Sequence, residues 1–316
     1  MTLEGTHGFW GDLHVPNSTP EQTDFTILGI PFDGLASARK GAALAPERIR
    51  YWSRHVTPFS EDRTRLADMT VCDVGDISFA DPASGFPDVA HFIAGLNNIP
   101  IILGGDHSLA LGSAAGAAAF AARQDRPLFL LWLDAHSDFH TPLTTTSGNL
   151  HGTPLAYIAG RDGFDAFPPF PLAVPAHRIC MFGIRSVDPA EQAAMQERDI
   201  AVNDMRVIDE RGLVAPLREF LDRVRAESGM LHVSLDVDFL DPSIAPAVGT
   251  TVPGGATFRE AHLVMELLHE SGLVTSLDLV ELNPFLDDRG MTARLMVDLV
   301  GSLMGKKVFD RPTRSK

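Results

Sequence analysis

Short runs of continuous apolar residues recur along the chain: FTILGI (25–30), IPIILGG (99–105), LFLLWLD (128–134), RICMFGI (178–184), MLHVSLD (230–236) and VTSLDLV (274–280). Hydrophobicity without alternation marks strands covered on both faces, as in a parallel sheet between helices. Helical patterns fall between them at 87–97, 108–122, 189–198, 212–227, 257–270 and 289–305. Ala-rich SLALGSAAGAAAFAA (108–122) has the strongest helical composition, with Ser108 as its expected N-cap; Asp188–Pro189 and Thr257 are similar start signals. This alternation predicts an α/β fold. Loops are expected at 54–68, at 141–152 and over Pro- and Phe-rich 163–176. With no linker, repeat or low-complexity tract, residues 1–316 are expected to form one domain.

Polar groups break the pattern at one kind of place, the carboxyl ends of the strands. Gly105–Asp106–His107, Asp134, Asp236 and Glu281 all fall there, on four separate runs. In open parallel sheets that edge is where ligands bind. Two segments carry most of the charge, Asp134–Ala135–His136–Ser137–Asp138 and Asp236–Val237–Asp238. Residues two apart in a strand share a side, so continued extension would project each set together. Such crowding is costly unless a cation relieves it. With His107, the candidate ligands are His107, Asp134, His136, Asp138, Asp236 and Asp238, more than one metal needs. A set without sulfur favours a hard divalent ion such as Mn²⁺, with Co²⁺ and Ni²⁺ also tolerated. Two such ions can make water nucleophilic at neutral pH. Asp106 and Asp241 are better read as turn-stabilising carboxylates.

Composition narrows the partners. Of 316 residues 45% are hydrophobic and 21% charged, ordinary for a globular enzyme with a large core. A formal charge of −15 argues against nucleic acid and anionic membrane surfaces. Two cysteines, Cys72 and Cys180, make neither a disulfide scaffold nor a thiolate site and are expected to be buried. MTLEGTHGFWGDLH carries no secretory pattern and no apolar run approaches a membrane span, so a cytoplasmic location is expected. GGDHSLALG lacks the G-x-G-x-x-G spacing of a dinucleotide loop.

The segments GGDHS (104–108), DAHSD (134–138), TPLTTTSGNLHG (141–152), VDPAE (187–191), SLDVDFLDPSIAPAVGT (234–250) and SLDLVELNP (276–284) together resemble the ureohydrolases, arginases more than agmatinases. They span about three-quarters of the chain in the expected order. The resemblance implies a three-layer α/β/α fold with a mostly parallel eight-stranded sheet, two Mn²⁺ per subunit and assembly into trimers or hexamers. It implies one metal on His107, Asp134, Asp138 and Asp236 and the other on His136, Asp134, Asp236 and Asp238. Asp134 and Asp236 would bridge, and Asp138 would also steer the attacking water.

It implies as well that Ser147 and Asn149 recognise a substrate α-carboxylate, Asp188 meets an α-amino group, and Thr250 lines the pocket. His151 would shuttle a proton, and Glu281 would hold a guanidinium through a charge-assisted pair. Two positions depart from the arginase pattern. His140 stands where Asn is usual and is expected to contact the carboxylate; Ser186 replaces an acidic residue, with Asp188 and Glu191 retained. The expected reaction is hydrolysis of L-arginine to urea and L-ornithine. 4-Guanidinobutyrate and agmatine remain open as substrates. A non-catalytic paralogue is disfavoured because all six ligands are kept.

Overall fold

Each of the six apolar runs becomes a strand. The computed structural model describes residues 3–306 apart from 5–7, 11–12, 37–38, 57–68 and 171, with only the backbone of residues 3–4. Most of the loop expected over 54–68 therefore lies outside the described residues. The strands are β1 (Leu3–Glu4), β2 (Phe25–Gly29), β3 (Val71–Ile77), β4 (Ile99–Leu103), β5 (Leu128–Leu133), β6 (Ile179–Ile184), β7 (Ala201–Asp204), β8 (Met230–Asp236) and β9 (Val274–Val280). They form one sheet in the order β1-β3-β2-β4-β9-β8-β5-β6-β7. β2 to β9 are the eight parallel strands expected. The two-residue β1 adds a ninth, antiparallel to β3.

Helices cover both faces: α1 (Ala45–Ser53), α2 (Pro82–Gly95), α3 (Ala110–Arg123), α4 (Pro154–Ile158), α5 (Pro189–Glu197), α6 (Met205–Arg211), α7 (Val214–Ala226), α8 (Phe258–Ser271) and α9 (Met291–Leu303). The pleat sorts each strand between two cores. Phe129, Leu131 and Leu133 of β5 pack with α1, α7, α8 and α9, while Leu128, Leu130 and Trp132 face α2 to α5. Small residues let α3 approach α2 closely: a Cβ at Gly116 would meet Ile93 Cβ at 2.7 Å.

β1, β3, β7, α1, α4 and α6 lie outside the expected pattern, and for two of these strands the physical reason is plain. In β3, VCDVGDI, an apolar run is interrupted by Asp73, which is buried because Arg50 of α1 pairs with it through two nitrogens at 2.8 and 2.9 Å. β7 is a four-residue edge strand that stays half-exposed. One cap also differs. Asp106, not Ser108, caps the approach to α3, accepting from the Ser108 N–H at the start of a 3₁₀ turn, His107–Leu109. Thr257 and Asp188 cap α8 and α5 as expected. Among the described residues no helix is long and apolar enough to cross a membrane. Cys72 and Cys180 are buried free thiols.

Candidate metal centre

The sheet order makes β4, β9, β8 and β5 consecutive neighbours, and their carboxyl ends carry His107, Glu281, Asp236 and Asp134. His107 is delivered by a turn zipped to β9: the Gly104 N–H donates to the Leu279 carbonyl at 2.7 Å, and the Glu281 N–H to the Gly105 carbonyl at 2.8 Å. A Cβ at Gly105 would lie 1.7 Å from the Phe32 carbonyl oxygen, so only glycine fits. Asp106 is a turn carboxylate, accepting from the Leu35 and Ala36 N–H groups at 2.9 Å each. Asp241 does the same for the Ser243 and Gly254 N–H groups.

Extension does not continue past the strands. β5 ends at Leu133, and Asp138 takes a left-handed backbone with φ +47°; β8 ends at Asp236 and enters a 3₁₀ turn, Val237–Phe239. Convergence is produced instead by carboxylates gripping backbone. Asp134 Oδ1 accepts the His136 N–H (2.6 Å), Asp236 Oδ1 the Asp238 N–H (2.9 Å) and Asp238 Oδ1 the Ala135 N–H (2.9 Å). Each is thereby fixed with a second oxygen turned to the cluster.

His107 Nδ1 lies 3.2 Å from Asp134 Oδ2, 3.2 Å from Asp138 Oδ2 and 3.1 Å from Asp236 Oδ2. One imidazole N–H cannot serve three acceptors, and none of them meets it in hydrogen-bonding geometry. Ligands held about 2.1 Å from one ion at right angles stand about 3 Å apart, so this buried orphan nitrogen fits a cation site. A second trio, Asp134, His136 and Asp238, shares Asp134 with the trio His107, Asp134 and Asp138. In it His136 Nδ1 is 2.9 Å from Asp238 Oδ2 and 3.6 Å from Asp134 Oδ1. The donor set therefore fits a pair of hard dications.

Two residues missed in the sequence hold these ligands. Trp132 stacks on the His107 ring (4.1 Å between centroids, 2° apart) and donates from Nε1 to Asp134 Oδ2 at 3.0 Å. Ser234 Oγ meets His107 Nε2 at 2.9 Å. Both stand two residues before a ligand in a strand, and that parity was the available signal.

The ionisation pattern is that of anions crowded out of water. Burial first, then the charges of neighbouring carboxylates, push Asp138 and Asp238 up to about 6 and Asp236 well above its ordinary range. Burial alone would lower His136, but Asp134 and Asp238 raise it to about 12; His107 rises in the same way on Asp134, Asp138 and Asp236. Protons here occupy the place of cationic charge.

A cleft of about 180 Å³ opens over the cluster, smaller than the ~300–1,000 Å³ of drug-sized sites and suited to a metabolite. Its lining contains every sequence-selected site residue except Asp134 and Asp238, which lie beneath; Thr145, Gly152 and Ser186 complete the wall. Glu281, with φ +66°, uses Oε1 to accept the His107 N–H (2.8 Å) and to meet His151 Nδ1 (3.0 Å). Loop 141–152 forms the rim with Ser147 exposed and Asn149 half-buried. Thr250 Oγ1 donates to Asp238 Oδ2 at 3.4 Å. Across the mouth stand Asp188, exposed at the start of α5, and buried Glu191. His140 is turned toward this acidic pair, with Nε2 3.0 Å from Asp188 Oδ2. The expected loop over 163–176 is partly tucked in: Phe164, Phe167 and Phe170 gather around Tyr157.

Residues 23–305 match the model of the arginase family. The chain is 61% identical over 308 residues to the arginase of Brucella melitensis biotype 1, covering 92% of this chain and 98% of that one. It superimposes on the crystal structure of arginase from Bacillus subtilis with a TM-score of 0.80 at 36% identity, over 90% of this chain and 99% of the other. For the arginase of Bacillus caldovelox the values are 0.81 and 32%, over 91% and 100%. Sheet order, paired ligand clusters and these likenesses together establish that the chain belongs to the arginase family.

Proposed function

We propose that the chain, as a single domain over residues 1–316, hydrolyses the guanidinium group of L-arginine to urea and L-ornithine. The observation that carries this reading is the placing of Glu281. One of its oxygens is taken by the His107 N–H and His151, and Oε2 has no hydrogen-bond partner among the described residues. It stands beside the ligand cluster as an anion with room for a planar cation.

His107, Asp134, His136, Asp138, Asp236 and Asp238 would hold two Mn²⁺ per subunit. Bound there, the dications supply Lewis acidity and lower the pKa of coordinated water. Glu281 orients the guanidinium, and Asp138 accepts a hydrogen bond from the attacking water. His151, kept protonated by Glu281, is placed to give a proton to the departing amine. At the mouth, Ser147 and Asn149 serve the carboxylate end of the substrate, with His140, Asp188 and Glu191 around its amino group and Thr250 lining the pocket. The reading extends to a cytoplasmic homo-oligomer, a trimer or hexamer, with no nucleic-acid or membrane partner.

Urea release from L-arginine, agmatine and 4-guanidinobutyrate, by enzyme loaded in turn with Mn²⁺, Co²⁺ and Ni²⁺, tests it. The expected result is preference for L-arginine with two metals bound per chain. Full loading without urea from any of the three would overturn it.

A further inference from the structure

Among the described residues one more trio of ligand-type side chains converges: His140, Asp188 and Glu191. It differs from the trio around His107, whose Nδ1 has no hydrogen-bond partner, because both ring nitrogens of its histidine are engaged. His140, its side chain 12% exposed, sets Nε2 3.0 Å from Asp188 Oδ2 and Nδ1 3.1 Å from Thr144 Oγ1. A carboxylate only accepts, so Nε2 carries the proton and donates to Asp188. Thr144 Oγ1 also accepts the Thr141 N–H at 2.9 Å, which pins the hydroxyl and with it the ring. Glu191 braces the assembly, accepting the Phe139 N–H through Oε1 (2.9 Å) and the Asp188 N–H through Oε2 (3.1 Å).

The Asp188 side chain is 60% exposed and would otherwise exchange rotamers in water. His140 holds it over the cleft. The cleft thus has two anionic poles, Glu281 beside the ligand cluster and Asp188 with Glu191 at the mouth. That layout matches a ligand with a guanidinium at one end and a second cation at the other. Both ring nitrogens of His140 are engaged, so the ring is a poor donor to a substrate carboxylate.

We propose that His140 is a specificity-determining positioning residue: by fixing Asp188 it makes the site select guanidino compounds that carry an ammonium group at the far end over those that lack one. This rests on the guanidino reading above. It also separates L-arginine from 4-guanidinobutyrate, for which His140 would have to abandon Asp188.

The test compares wild type, His140→Ala, His140→Gln and Thr144→Val as metal-loaded full-length protein. Substrates are L-arginine and 5-guanidinopentanoate, which is L-arginine without its α-amino group. Calorimetric binding is measured with L-ornithine and 5-aminopentanoate. His140→Ala raises KM for L-arginine about tenfold or more with kcat within about twofold, the mark of lost uniform binding. The 5-guanidinopentanoate constants stay unchanged, and L-ornithine weakens while 5-aminopentanoate does not. Gln, whose amide N–H can reach Asp188, restores most of the discrimination; Thr144→Val loses part of it.

Equal weakening of both substrates in His140→Ala would show a carboxylate contact and overturn the proposal. Wild-type discrimination between L-ornithine and 5-aminopentanoate in His140→Ala would overturn it with the guanidino reading intact. No urea from any wild-type reaction would instead overturn that underlying reading.

Discussion

His151 and Glu281 share a hydrogen bond 3.0 Å long across the floor of the cleft, and the same glutamate oxygen accepts the His107 N–H. Burial alone would pull the His151 pKa down, but Glu281 outweighs it and holds it at about 9. In the metal-free chain the ring is therefore cationic at neutral pH. Its partner is anchored by backbone: Glu281 adopts the left-handed region, and its N–H is tied to the Gly105 carbonyl.

Substituting this pair separates binding from proton delivery. Glu281→Gln removes the charge that raises His151, so the ring pKa falls toward its ordinary value, read by NMR titration of the imidazole. Urea release drops by at least about 10²-fold, while metal content stays near two per chain. His151→Asn costs about 10²–10⁴-fold in kcat, the usual range for a lost general acid. Unchanged kcat/KM in Glu281→Gln would remove its role.

Metal uptake is expected to be coupled to proton release. In the metal-free protein Asp134 and Asp238 raise His136 to about 12, and Asp134, Asp138 and Asp236 raise His107 above its ordinary value, so both rings favour the protonated form. Ligation needs both rings neutral, so loading expels these protons and apparent affinity rises with pH. Asp138 and Asp238, near 6, add to the competition as pH falls through that value. Calorimetry of Mn²⁺ binding in buffers of different ionisation enthalpy measures the protons released. A pH-independent affinity between 6 and 8 would contradict the ionisation pattern.

Among the described residues the hydroxyl of Ser234 hydrogen-bonds to His107. Ser234→Ala frees Nε2 and lets the ring rotate on Trp132. Retention of one metal after dialysis should weaken by about 10–100-fold, the usual cost of losing such a partner. A second metal held, as proposed, by His136 and Asp238 is expected to be retained normally. Equal loss of both would indicate general damage rather than one misoriented ligand.

Much of this could be read from the chain because the six strands are continuous apolar runs and the reactive groups stand where those runs stop. What could not be read was how the groups meet. Spacing by two suggested extended backbone through Asp138 and Asp238, whereas the chain turns immediately, by a left-handed residue at Asp138 and a 3₁₀ turn at Val237–Phe239. The side chains converge because carboxylates bind N–H groups, Asp134 and Asp236 those two residues on and Asp238 that of Ala135, 103 residues away, an arrangement with no periodic trace. β3 was illegible for a related reason. Asp73 breaks its apolar run, and Arg50, 23 residues earlier in the chain, is the cation that makes that burial tolerable.

That ion pair supplies a test of stability apart from catalysis. Arg50 is 3% exposed and binds both oxygens of Asp73, and it also meets Asp76 Oδ1 and the Gly75 carbonyl. Asp73 further accepts the Phe9 N–H at 3.2 Å. Removing Asp73 leaves a buried guanidinium with one anionic partner and takes the acceptor from the Phe9 and Gly75 N–H groups, so Asp73→Ala should destabilise by about 3–5 kcal/mol. For a domain of this size that corresponds to a fall in Tm of roughly 5–15 °C. Arg50→Met with Asp73→Leu removes both charges together and should recover most of the loss, since paired removal of buried ions is often near neutral. Because β3 is separated from the ligand-bearing strands by β2, kcat per folded molecule at 25 °C stays at the wild-type value in both variants. A variant that loses kcat while keeping its Tm would place the pair in the catalytic apparatus instead of the scaffold.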